Sequence, residues 1–149
     1  QRQRICIARA LALDPKLLIA DEAVASLDVT IQAQVVNLLM DLQDKLGIGL
    51  IFISHDMAVV ERIAHRVAVM YLGEIVEIGD RQSVFNNPCH SYTKKLLSMV
   101  PVADPQKRPE KRQLMSDEVP SALRPPDFEP TILPMTQISD THFVREEAA

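Results

Sequence analysis

The sequence predicts an α/β fold with a parallel sheet. Two short apolar runs, Leu17-Leu18-Ile19-Ala20 and Leu50-Ile51-Phe52-Ile53, are continuous rather than alternating, which marks strands buried on both faces. The segment between them has the period of a one-faced helix. Strand, helix and strand at this spacing form a βαβ unit with a right-handed crossover. Both runs end abruptly in polar residues, Asp21-Glu22 in one and Ser54-His55-Asp56 in the other. Ligands of such sheets collect beyond the carboxyl ends of the strands, so chemistry is expected at these two ends.

The elements follow in chain order. Arg4 to Leu13 has helical composition, and Asp14-Pro15 stops it because the residue before a proline disfavours helical backbone. Leu17 to Ala20 is the first strand. From Val29 to Leu46, the residues Ile31, Val35, Leu38, Leu39, Leu42 and Leu46 recur at helical spacing. Asp28 is placed to accept the free amides of that helix's first turn, and Gly47 to end it. Leu50 to Ile53 is the second strand. Asp56 to Ala64 predicts a short helix with Met57, Val60 and Ala64 on one side. Arg66 to Leu72 and Glu74 to Ile78 read as a hairpin turning at Gly73. Ser91 to Val100 predicts a final helix. Eight of the ten prolines lie from Pro101 onward. That stretch has no sustained period, and most of it is expected to be extended or disordered.

Composition narrows the function classes. A chain of 149 residues is about one domain long, and 47% hydrophobic content supports a real core. Aromatics make up only 4% and tryptophan is absent, so that core is aliphatic. A net charge of −4 argues against a nucleic-acid-binding face and predicts no nucleic-acid partner. It leaves room for a nucleotide, because backbone amides bind phosphate in acidic proteins too. Cys6 and Cys89 form neither a disulfide framework nor a C-x-x-C metal site and read as reduced thiols. No apolar run approaches the ~20 residues that span a bilayer. The chain begins Gln1-Arg2-Gln3-Arg4 without a methionine, and is expected to be the interior and C-terminal part of a longer cytoplasmic protein.

The residues at the two strand ends carry the candidate chemistry. Asp21 and Glu22 are adjacent, and successive side chains of a strand point opposite ways, so the two carboxylates suit different roles. Asp21 is a candidate Mg²⁺ ligand, directly or through water. Glu22 is a candidate base for an attacking water. His55 belongs beside them if the strands are neighbours, where it would contact a terminal phosphate. Each feature also has a plain structural reading: solvated acids at a strand end, and a histidine incidental to Ser54 or Asp56 capping the next helix. Ala23 to Asp28 reads locally as a loop that caps a helix. Gln1-Arg2-Gln3-Arg4 with Arg9 places positive charge at a helix start against its dipole, which suits nearby anions or a solvated basic face. His65, His90 and His142 are read as structural.

Taken together these segments are more specific than any one of them. Gln-Arg-Gln-Arg-Ile-x-Ile-Ala-Arg-Ala-Leu, Leu-Ile-Ala-Asp-Glu, Ser-Leu-Asp and Ile-Ser-His-Asp, in that order, resemble the C-terminal half of an ATP-binding-cassette ATPase. Asn87-Pro88-Cys89-His90-Ser91-Tyr92-Thr93-Lys94-Lys95-Leu96-Leu97 is similar to the C-terminal extension of the oligopeptide and dipeptide importer ATPases, with Ser91 where a proline is usual. The resemblance covers about residues 1 to 105. It implies the C-terminal part of a P-loop nucleotide-binding domain over 1–86, the importer-type extension over 87–105, and a proline-rich tail over 106–149. On it, Asp21 matches the Walker B aspartate that serves Mg²⁺, Glu22 the catalytic glutamate, and His55 the switch histidine. Gln1 matches the end of the signature motif, and Ser26, Leu27 and Asp28 the loop that meets a second cassette.

The implied cofactors are ATP and Mg²⁺. The implied partners are an identical or different second cassette, transmembrane permease subunits and an external solute-binding protein, with the ATPase peripheral on the cytoplasmic membrane face. Departures are Ala23 for the proline usual after the glutamate, and Ala25-Ser26-Leu27-Asp28 for Ser-Ala-Leu-Asp. The larger departure is that none of the four glycines belongs to a G-x-x-x-x-G-K-[ST] loop. These 149 residues are therefore expected to hold half of a phosphate site and to be inactive alone. The alternatives are a truncated, non-catalytic interaction module and a soluble cassette ATPase of DNA repair or translation.

Overall fold

The computed structural model describes residues 2–99 and 133–147, which fall in two compact units, Gln1–His65 and Arg66–Ala149. The first unit contains helix α1 (Arg2–Leu11), strand β1 (Leu17–Asp21), helix α2 (Val29–Leu46), strand β2 (Gly49–Ile53) and helix α3 (Met57–Ile63). The expected βαβ unit is present: β1 and β2 pair in parallel, with Leu17 opposite Gly49 and Asp21 opposite Ile53. The long helix has the predicted bounds. Asp28 Oδ1 accepts the amides of Thr30 (3.1 Å) and Ile31 (3.0 Å), and Gly47 closes it at φ 62°, its amide bonded to Gln43 O.

Ile7, Leu18, Ala20, Val24, Val35, Val36, Leu39 and Ile63 form one buried cluster. Each of its valine, leucine and isoleucine side chains contributes roughly 1.5–3 kcal/mol of burial. All three helices supply this cluster, and only one face of the sheet supplies it. The expectation of strands buried on both faces therefore fails within this unit. Leu18 and Ala20 are covered, whereas Leu17, Ile19, Ile51 and Ile53 are 46–60% exposed. The physical reason is strand alternation: helices pack on one side only, and the residues between point away from them. Along α2 the buried seam also shifts, to Val35, Val36 and Leu39, leaving Leu46 exposed.

The second unit contains β3 (Arg66–Tyr71), β4 (Glu74–Asp80), α4 (Arg81–Asn86), α5 (Ser91–Ser98), β5 (Met135–Gln137) and β6 (Phe143–Arg145). The four strands are antiparallel in the order β3-β4-β6-β5. The predicted hairpin forms, with Leu72 and Gly73 at φ 49° and 85°, the two positive angles that a tight hairpin turn requires. Two features differ from expectation. Helix α4 was not anticipated; Asp80 caps it, its Oδ1 accepting the Ser83 amide at 2.9 Å. The stretch over 106–149 was expected to be extended or disordered, yet β5 and β6 pair with each other and β6 extends the sheet at β4. Residues 106–132 and 148–149 of it, like Gln1 and residues 100–105, lie outside the described residues.

The second unit turns on one carboxylate. Glu77 is fully buried. Its Oε1 accepts the Cys89 amide (2.9 Å) and meets His142 Nε2 (2.7 Å), while its Oε2 accepts the His90 amide (3.0 Å). Burial pushes its carboxyl upward, but hydrogen bonds from Thr93, Cys89, His90 and His142 outweigh that and hold it below its ordinary value. The Thr93 hydroxyl is buried without a well-aligned bond, yet lies near enough to favour the anion. Around this knot, Thr141 Oγ1 donates to Asp80 (2.6 Å), and Glu147 accepts the Ser91 amide at the start of α5 (2.6 Å). A Cβ on Gly79 would stand 3.1 Å from the His142 ring, so glycine there admits the close approach of this histidine.

Candidate functional site

The site is built where β1 and β2 end side by side. Asp21 is the last residue of β1, opposite Ile53, the last of β2. The Glu22 amide donates to Ile53 O at 3.0 Å, which carries the ladder one residue further. The chain then turns sharply, with Glu22 in the left-handed region at φ 47°. A residue with a Cβ costs about 1 kcal/mol there, and such strain gathers at functional sites. This turn separates Glu22 from its neighbour: Asp21 stays on the strand and Glu22 leaves it.

Across the strand boundary, His55 Nδ1 stands 2.9 Å from Glu22 Oε1. Both side chains are solvent-accessible, His55 the more so. The hydrogen bond and charge of Glu22 raise the His55 pKa above its ordinary 6.5; desolvation opposes this, and the Asp56 charge adds a smaller upward push. The structure thus brings Glu22 and His55 into contact and sets Asp21 at the same edge.

Ser26 and Asp28 lie beyond, in an exposed turn held by backbone bonds from Ala25 to Glu22 O and from Leu27 to Val24 O. Asp28 also caps α2. Gln1 falls outside the described residues. The segment around His55 is firmly anchored. Ser54 Oγ accepts the Asp56 amide (3.1 Å), Asp56 Oδ1 accepts the amides of Ala58 and Val59, and Gln32 Nε2 donates to Asp56 Oδ2 (3.0 Å). Gln32 was not singled out from sequence, since its partner is 24 residues away and no spacing rule joins them.

Chemically, this edge offers two carboxylates and an imidazole. Hard oxygen donors of this kind suit Mg²⁺, and an exposed strand-end carboxylate such as Asp21 can reach it directly or through water. A second group of metal-binding side chains, Glu77, Cys89 and His142, brings its donor atoms within 4.8 Å of one another. Both Glu77 oxygens are already engaged by amides and by His142, which accounts for this carboxylate without an ion. Among the described residues no helix is long and apolar enough to cross a membrane. Cys6 and Cys89 are free thiols.

Comparison with known proteins places this edge in context. Residues 76–128 match the family described as the oligopeptide/dipeptide transporter C-terminal region. The chain is 62% identical over 144 residues to a glutathione import ATP-binding protein of Pectobacterium atrosepticum. It is 58% identical over 144 residues to the one of Salmonella choleraesuis and 58% identical over 146 residues to the one of Escherichia coli. These alignments cover 97–98% of the chain but 23% of each relative, so the chain spans about a quarter of the length of the curated relatives it matches.

Proposed function

Because this chain matches the C-terminal part of ATP-binding-cassette importer subunits of the oligopeptide/dipeptide type, we propose that it contributes the hydrolytic edge of such an ATPase. The intact protein couples ATP hydrolysis to import of a small peptide, and the names of the relatives favour glutathione. The observation that carries this reading is the 2.9 Å contact of His55 with Glu22 at adjacent strand ends.

Glu22 serves as the general base: its carboxylate takes the proton of the water that attacks the terminal phosphate. Asp21 would hold Mg²⁺, directly or through water, and the ion would neutralise charge on the phosphate oxygens. His55 Nδ1 faces Glu22 and orients it, and Nε2 is left to meet a phosphate oxygen. While Glu22 Oε1 is engaged by His55, that oxygen is withheld from water, which suits a resting site. Ser26, Asp28 and Gln1 belong to the contact with a second cassette, whose closure completes the site. The other partners are permease subunits and an external solute-binding protein, with the ATPase on the cytoplasmic membrane face. The 149 residues alone, which include no phosphate-cradling glycine loop, neither hold ATP tightly nor turn it over.

The test is Glu22→Gln in the full-length subunit. It keeps the shape of the side chain and removes the base, so kcat falls by about 10²–10⁴ while MgATP still binds. Wild-type turnover in that variant refutes the assignment.

A further inference from the structure

One side chain ties the turn at Ser26–Asp28 to the segment that carries His55. Gln32 lies in the first turn of α2. Its amide N–H donates to Asp28 O at 2.8 Å, and its side-chain Nε2 donates to Asp56 Oδ2 at 3.0 Å. The acceptor is a carboxylate, so the nitrogen end of the Gln32 amide must face it. Asp56 is held from two further directions, by its own amide on Ser54 Oγ and by Oδ1 on the amides of Ala58 and Val59. His55 sits between Ser54 and Asp56, and its ring reaches Glu22. Of the bonds that fix this segment, the one from Gln32 comes from α2, the helix that Asp28 begins.

We propose that Gln32 is a positioning residue that holds the Ser54–His55–Asp56 segment in register with the Ser26–Asp28 turn. The inference rests on the reading of Glu22 and His55 given above. Gln32 acts through Asp56, so it touches neither nucleotide nor water. Its loss changes how often His55 and Glu22 are correctly placed, not how tightly nucleotide binds.

The experiment is steady-state ATP hydrolysis by the full-length subunit in its transporter complex. It compares wild type with Gln32→Leu, Gln32→Ala, Gln32→Arg and Glu22→Gln. Gln32→Leu and Gln32→Ala remove the donor, and kcat is expected to fall about tenfold to a hundredfold, the size of one lost hydrogen bond to a charged acceptor, with KM for MgATP unchanged. Gln32→Arg restores a donor to Asp56 and is expected to recover most of kcat, which a role in packing alone would not produce. Gln32→Ala guards against a fold defect peculiar to leucine. Unchanged kcat in both donor-deleted variants, with Glu22→Gln inactive, overturns the inference and leaves the proposed function standing. A Gln32→Arg variant as slow as Gln32→Leu also overturns it. Full turnover in Glu22→Gln overturns both readings.

Discussion

Glu22 carries two burdens at once, a left-handed backbone and a carboxylate turned to an imidazole. The strain is local, and the ladder bond to Ile53 together with the turn bond from Ala25 hold it in place. The His55 pair makes a pH signature. A histidine whose folded pKa is raised is bound more tightly as the cation. The contact is therefore complete below the ordinary value of 6.5 and fades as pH rises through the raised one. An NMR titration of His55 is expected to give a midpoint above 6.5. Glu22→Gln brings it back toward that value, because the first and largest cause is the bond to Glu22. A wild-type midpoint at or below 6.5 contradicts the pairing. At this scale the placement of Asp21, Glu22 and His55 at two strand ends was legible in the sequence, since an apolar run that ends in charge marks a strand end. Gln32 was not, because a side chain that acts across 24 residues leaves no local pattern.

Helices and strands were legible where their determinants are local. Helix α2 has a carboxylate cap, an apolar period and a terminal glycine within one window, and its bounds followed. The short strands β5 and β6 have three residues each and no period. They exist because β4 offers an edge and Glu77 offers His142 a partner, facts that no window contains. Their hold depends on pH. A carboxyl whose folded pKa lies below its unfolded value stabilises the fold above the unfolded value, here about 4.5, and loses that contribution as pH falls through the folded one. Amide-exchange protection of Phe143–Arg145 is thus expected to drop on acidification below about pH 4.5, ahead of that of Val67–Val69. Glu77→Gln is expected to lower this protection at neutral pH and flatten its acid dependence. Equal acid dependence in the variant assigns the effect to another group.

Across the molecule, the two units are built on different sheets, a parallel pair in the first and four antiparallel strands in the second. In the first, one sheet face is packed and the other shows Leu17, Ile19, Ile51 and Ile53 to solvent. Continuous apolar runs announced two covered faces, and the unit covers one, so pattern alone did not reveal which elements would be present to cover the second. The contrast is measurable in the 149-residue chain. Leu39→Ala, in the packed cluster, is expected to cost about 2–5 kcal/mol in chemical denaturation. Ile19→Lys, on the open face, is expected to cost within about 0.5 kcal/mol and to reduce hydrophobic-dye binding and light scattering. Comparable destabilisation by both would mean that the open face is covered in solution.

The Glu77–His142 bond joins positions 65 residues apart. Closing so long a loop in an unfolded chain costs about 4 kcal/mol of entropy. The β3–β4 hairpin closes across two residues and meets almost none of that cost. Strand β6, which follows His142, is therefore expected to join the sheet late in folding and to leave first. Residues 142–145 act as a latch on the hairpin, and the buried carboxylate is the notch that receives it.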